Sequence, residues 1–210
     1  EKNKLNSQLN IFKKLDDDYG VVYGPSIIIN ENNKQNYLAD VVKINGNGLS
    51  EQLKKNLLNG HINFNSALIK KKCLIDYPML ETIFIETESI FLCFALKYKF
   101  KYDSNPVCYF REHSENIGKK IFDNLDRHIK RIEELRKFNL IEKKCKDEEI
   151  QNYKGNIILN IIWYNLRTNG IKKKNWKLIR EIIKNHKYLL IKIKFFLSLI
   201  LTFTPNAITL

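Results

Sequence analysis

The sequence predicts a mixed α/β fold that gives way to an all-helical extension, on three observations. Short β-branched and aromatic runs at Val21–Tyr23, Ile27–Ile29, Phe100–Tyr102 and Val107–Phe110 alternate with helical periodicity as far as residue 116. From Ile117 onward the strand signal fades and long helical patterns take over. The charge shifts at nearly the same place: residues 1–120 carry 17 basic and 14 acidic side chains, whereas residues 121–210 carry 19 and 9. Two regions are therefore expected, 1–116 and 117–210.

The elements follow in order. Residues 4–15 read as an amphipathic helix, with Leu5, Leu9 and Phe12 at i, i+4 and i+7 and Lys4, Lys13 and Lys14 off that face. Asp16, Asp17, Asp18 and Gly20 end the pattern. The strands Val21–Tyr23 and Ile27–Ile29 are separated by Gly24-Pro25, and Asn30–Asn33 reads as a turn. Leu49, Leu53 and Leu57 set a helix over 49–58. Asn65–Ile69 is a strand or the lead into a short helix at Lys70–Leu74. Residues 88–98 are apolar nearly all round, which predicts a buried helix. The strands Phe100–Tyr102 and Val107–Phe110 flank Asn105-Pro106. Helices are then expected over 118–138, 147–168, 173–186 and 187–203, with Gly170 as a break.

Composition excludes several classes. With 210 residues, 44% apolar and 28% charged, the chain is neither wholly disordered nor fibrous. Eight Gly and four Pro rule out a collagen-like or linker-dominated chain. Cys73, Cys93, Cys108 and Cys145 form no CxxC pair and have no His at zinc-ligand spacing, so they read as reduced thiols of a cytosolic protein, most of them core filler. The opening segment EKNKLNSQLN has no apolar run and no signal peptide pattern. The net charge of +13 and pI near 9.5 favour an anionic neighbour for the helical part.

Four segments carry chemically interesting side chains. The acidic triplet Asp16–Asp18 has the oxygen chemistry for a divalent cation, but a solvated helix end is the simpler reading. Glu86 and Glu88 flank Thr87 at the start of the buried helix. Two carboxylates there can serve as a general base, or can simply complement the helix dipole. Arg111 and His113, on one face by strand alternation, have the chemistry to grip a phosphate or a metal, although such pairs are commonly structural. Leu189–Phe203 is too short to span a bilayer and is punctuated by Lys192 and Lys194, with Lys184 and Lys187 before it. It reads equally as an amphipathic segment on an anionic membrane face or as a helix buried against its own domain.

Three stretches in order carry a resemblance: Asn65-Ser66-Ala67-Leu68-Ile69-Lys70-Lys71, then Glu86-Thr87-Glu88-Ser89-Ile90-Phe91-Leu92-Cys93-Phe94-Ala95, then Pro106-Val107-Cys108-Tyr109-Phe110-Arg111-Glu112-His113-Ser114-Glu115-Asn116. Together they resemble a family 2 glycosyltransferase of the GT-A fold over residues 1–116. In that family a strand with a small polar residue precedes a basic helix start, a Glu-Asp pair opens a buried helix, and a strand ends in Tyr-Arg-x-His. Here one residue is inserted into that ending. Lys4-Leu5 and Gln8 resemble the helix after the family's Asp-x-Asp motif, and Gly20–Ile29 the strand pair beyond it. The resemblance thus implies an incomplete GT-A-like mixed sheet, whose nucleotide-binding first half precedes Glu1, and a fragment inactive by itself. The helical tail looks similar to C-terminal extensions of bacterial members.

The resemblance also implies a function. It is transfer of a sugar, with inversion, from a nucleotide-sugar donor to a glycan or lipid-linked acceptor, in the cytoplasm or at the inner face of the cell membrane, with peripheral contact through 184–203. A divalent metal, Mg²⁺ or Mn²⁺, is expected beside the diphosphate, with His113 as a neutral ligand and Arg111 as a phosphate clamp. The family's base is an Asp where this chain has Thr87, which is no base at neutral pH; Glu86 or Glu88 would substitute. The alternative is a catalytically inactive GT-A-like binding or scaffold protein. A basic nucleic-acid-binding module fits the charge alone, and no nucleic-acid motif accompanies it.

Overall fold

The computed structural model describes residues 3–55, 62–78, 87–105, 107–114, 116, 125–169, 173–191, 195, 196 and 200. The elements run α1 (Lys4–Phe12), β1 (Tyr19–Tyr23), β2 (Ser26–Ile29), β3 (Gln35–Leu38), β4 (Asn45–Gly46), α2 (Leu49–Lys55), a 3-10 turn (Phe64–Ser66), β5 (Ala67–Ile69), α3 (Lys71–Asp76), α4 (Thr87–Ala95), β6 (Lys99–Tyr102), β7 (Cys108–Arg111), α5 (Leu125–Glu142), α6 (Asp147–Asn169), α7 (Lys173–Asn185) and a second 3-10 turn (Lys187–Leu189). The fold is mixed α/β with two mixed sheets. The chain divides into two compact units, Glu1–Ile117 with Glu133–Cys145, and Gly118–Ile132 with Lys146–Leu210. Glu133–Cys145, which includes the second half of α5, belongs to the first unit.

In the first unit one sheet has the order β4-β6-β1-β5, and the other β3-β2-β7. β1 and β6 are parallel, as are β2 and β7, while β5, β4 and β3 join as antiparallel neighbours. The two parallel pairs are continuous along the chain, because β1 leads to β2 and β6 leads to β7. Both connections change sheet at the same place. Asp103 N donates to Tyr23 O at 2.7 Å and Val107 N to Pro25 O at 3.1 Å. Gly24 makes this approach possible: a Cβ there would lie 2.8 Å from Asn105 O and 2.9 Å from Asp103 O. Gly24-Pro25 and Asn105, which belong to two breaks legible separately in the sequence, thus meet at one shared step.

The core of this unit forms around α4. Ile90 to Leu96 are all buried, as the all-round apolar pattern predicts. Phe91 packs edge-on to Phe94 and Phe100, with ring centroids 6.2 and 6.3 Å away. Tyr77 links Phe94 to Phe138 of α5 at 6.2 and 5.0 Å. Each such ring removed from water contributes about 1.5–3 kcal/mol, the upper limit set by an extended reference chain.

In the second unit, α6 buries Ile150, Tyr153, Ile157, Ile158, Ile161 and Ile162, and α7 buries Leu178, Ile179 and Ile182. Asn165 Nδ2 donates to Asn175 Oδ1 at 3.1 Å between the two helices, and Lys154 pairs with Glu181 at 2.8 Å.

Three expectations change. In α1 the buried residue is Gln8, while Leu5 and Leu9 are 59% and 47% exposed. The reason is polar: Gln8 Nε2 donates to Ser66 O at 2.8 Å and Val22 O at 3.3 Å, and Lys4 Nζ, one turn earlier, donates to Gln8 Oε1 at 2.8 Å and Ala67 O at 3.3 Å. The helix is seated through these bonds rather than through its leucines. The continuous helix expected over 187–203 is a 3-10 turn at Lys187–Leu189 in its described beginning. His186 leaves helical geometry at φ −134°, ψ 49°, and Tyr188 Oη donates back to Asn152 O. Strands β3 and β4 had no sequence signal; all four residues of β3 are exposed, so no alternation of polarity marks them. Residues 56–61, 117–124 and Gly170, parts of other expected helices and breaks, lie outside the described residues.

Candidate functional site

Two of the site candidates, Arg111 and His113, lie at the end of β7, and Arg111 bonds to the turn that joins β2 to β3. That turn is built by asparagines. Asn30 Oδ1 accepts from Asn32 N and Lys34 N, both at 3.0 Å, and Asn30 N donates to Lys34 O at 3.0 Å. Asn33 sits at φ 61°, a left-handed conformation that asparagine tolerates better than most residues. The predicted turn at 30–33 thus has a mechanism in its own side chains.

β7 lies next to β2 in register, Ile29 opposite Arg111. The ladder runs one residue further, with Glu112 N donating to Ile29 O at 2.8 Å. Arg111 reaches across Ile29 to the asparagine turn: Nη1 donates to Glu31 O at 2.9 Å and Asn30 O at 3.3 Å, and Nη2 to Asn33 Oδ1. Its guanidinium, expected as a phosphate clamp, therefore spends donors on closing the β2–β3 turn, in an exposed setting. Both Nη1 and Nη2 take part in these bonds, out of the five N–H groups an arginine offers.

His113 lies beyond the strand, so alternation no longer relates it to Arg111. The two are brought together instead by Asn116, whose Oδ1 accepts from His113 N and whose Nδ2 donates to Arg111 O at 3.2 Å. Tyr37 Oη from the exposed strand β3 donates to Glu112 Oε2 at 3.4 Å. Tyr37 was not singled out by sequence reasoning, and Asn30 and Asn33 entered it only as a turn. Asn116 closes the quoted family-like stretch, and this was the one signal available for it.

The second candidate group opens α4. Thr87 is the first residue of that helix, Glu88 the second. Glu86 lies outside the described residues, as do the side chains of Thr87 and Glu88.

The remaining candidates resolve as structural groups. Asp18 pairs with Lys99 at 2.6 Å, and Lys70 Nζ donates to Asp17 O at 3.1 Å with Asp17 Oδ1 at 3.6 Å. Asp17 is solvated, and the triplet behaves as the end of α1 held by lysines of two later elements. No disulfide joins the four cysteines. Burial and nearby Asp76 push the Cys73 thiol up to about 11, and burial with Glu134 pushes Cys93 to about 12, so both stay protonated core groups.

Among the described residues no three His, Cys, Asp or Glu side chains come together in a way that could hold a metal ion. Among the described residues no helix is long and apolar enough to cross a membrane. Compared with protein-family models, curated proteins and solved structures, the chain matches none.

Proposed function

We propose that this chain is the C-terminal half of a GT-A-like glycosyltransferase domain with a basic helical extension, and that the whole protein transfers a sugar from a nucleotide-diphosphate donor to a glycan or lipid-linked acceptor with inversion. The observation that carries the reading is the ordered run of residues 65–116. A short strand at Ala67–Ile69, a buried helix beginning at Thr87 and a strand that leads through Arg111 to Glu112, His113 and Asn116 follow one another as in that family. Two mixed sheets whose parallel pairs step together are compatible with it.

The chemistry assigned to the chain's own residues is short. A carboxylate at the start of α4, Glu86 or Glu88, takes the proton of the acceptor hydroxyl. The hydroxyl oxygen forms its bond to the anomeric carbon, and the bond from that carbon to the diphosphate oxygen breaks, its electron pair leaving with the nucleotide. Arg111, from the edge of the sheet, uses its N–H groups on the diphosphate. A divalent cation, expected from the resemblance, supplies further charge compensation when bound; the donors described do not form a site for it, and no step here depends on it. The cytoplasmic side of the cell membrane is the location this reading assigns, since nucleotide sugars are cytoplasmic substrates.

A second reading, a GT-A-like binding or scaffold protein without activity, is favoured by Thr87 at the base position and by the structural bonds of Arg111. Sugar transfer by the whole protein separates the two. Glu86→Gln or Glu88→Gln should lower the rate by about 10²–10⁴-fold, the usual worth of a general base. Thr87→Asp should raise it if neither glutamate is ideally placed. Transfer unchanged in both glutamine variants refutes the assigned base, and no transfer at all by the unaltered protein favours the binding reading.

A further inference from the structure

The cations of the second unit are segregated. Residues 151–210 contain eleven Lys or Arg and a single acid, Glu181. That acid is committed to Lys154 at 2.8 Å, and the pair holds its carboxyl below the usual range. The rest of the positive charge is uncompensated within this stretch.

Helix α7 shows how the charge is displayed. Asn175, Leu178, Ile179 and Ile182 are buried, the i, i+3, i+4, i+7 pattern of one face. Lys177, Arg180 and Lys184 are exposed, and at about 3.6 residues per turn they form a stripe on the opposite face. Ile183 flanks that stripe and is exposed as well. Among the described residues beyond α7, Lys187 is exposed, Ile191 is 86% exposed and Phe196 54%. Large apolar side chains left in water beside a row of cations ask for a partner that satisfies both. A nucleic-acid backbone neutralises the lysines and leaves the isoleucines and Phe196 wet. An anionic bilayer takes the cations at its phosphates and the apolar groups at the acyl boundary.

We propose that the outer face of α7, with Lys177, Arg180, Ile183 and Lys184, together with Lys187, Ile191 and Phe196 beyond it, forms a docking surface for an anionic lipid bilayer. The proposal rests on charge and exposure and does not depend on the transferase reading.

Co-sedimentation of the full chain with vesicles tests it without any sugar-transfer readout. The chain should bind phosphatidylcholine vesicles that contain phosphatidylserine, bind pure phosphatidylcholine far less, and release as salt is raised. Replacing Lys177, Arg180 and Lys184 together by Gln should weaken binding roughly a hundredfold, at about fivefold per cation. Ile191→Ser with Phe196→Ser should weaken it separately while the charge is kept. All five side chains are exposed, and an unchanged far-ultraviolet circular dichroism spectrum checks that the variants fold. Failure of the unaltered chain to bind either vesicle overturns the proposal. So does binding that ignores the Ile191 and Phe196 substitutions and is displaced by a duplex oligonucleotide, which would mark a purely electrostatic polyanion site.

Discussion

Replacing Tyr23 by Phe removes one oxygen atom from the centre of the larger sheet and leaves the ring. That ring is fully buried, edge-on to Phe100 and Tyr102 at 6.4 and 5.7 Å, and Phe fills the same space. What disappears is a two-way hydrogen bond. Tyr23 Oη donates to Val42 O and accepts from Ile44 N at 2.9 Å, and Val42 and Ile44 are themselves buried. Both backbone groups would be left without that partner, out of reach of water. Burial pushes the phenol's pKa far up, so the hydroxyl is a neutral donor at every working pH. Two hydrogen bonds at roughly 1 kcal/mol each, with the added cost of stranding a carbonyl and an amide, amount to about 2–4 kcal/mol. That corresponds to about 7–15 °C in the melting of the unit that contains it. Urea unfolding followed by tyrosine fluorescence measures it, with Tyr102→Phe as a control that loses no such pair. A loss below about 0.5 kcal/mol, the range of neutral surface changes, would refute the role given to this hydroxyl in holding the 39–44 connection onto the sheet.

Two further outcomes follow from the same geometry. Gln8→Leu should destabilise by about 1–3 kcal/mol, because Ser66 O loses its donor and the Lys4 ammonium its acceptor, while Leu5→Gln on the exposed face should stay within about 0.5 kcal/mol; denaturant midpoints compare the two. His186 is 1% exposed, with both ring nitrogens lacking hydrogen-bond partners, and Gly155 makes room for it and Tyr188. Burial and the Lys154 ammonium hold its pKa below the ordinary value, Glu181 opposing. The unfolded chain therefore binds the proton more readily, so the stability His186 contributes is complete above the unfolded value of about 6.5 and is lost as the pH falls below it. Thermal melts from neutral to mildly acid pH should show the second unit weakening, and His186→Phe should flatten that slope; an unchanged slope would contradict it.

Much of the local structure was legible because each signal was itself local. The all-round apolar run of 88–98 could only be a buried helix, and Asn30–Asn33 could only be a turn. Gly24-Pro25 and Asn105-Pro106 had to break strands, since Pro cannot donate to a ladder. The candidate site was legible in part: Arg111 and His113 were visible as reactive side chains, while the end of the strand at Arg111 and the Asn116 side chain that bridges the two backbones were not. β3 escaped notice because all of its residues face water, which leaves no alternation to read.

By itself the sequence determined the α/β-to-helical order, the concentration of positive charge towards its C-terminal end, and the positions of the breaks, because periodicity, charge and turn chemistry act over a few residues. Tertiary structure alone decided which face of α1 is buried, that the two Pro-containing breaks meet at a single step between sheets, and where Arg111 spends its hydrogen bonds. Those depend on partners up to about eighty residues away in the chain, Asn30 and Arg111 among them, and a carbonyl waiting for a donor at such a distance leaves no mark on the local pattern that reading a sequence can use.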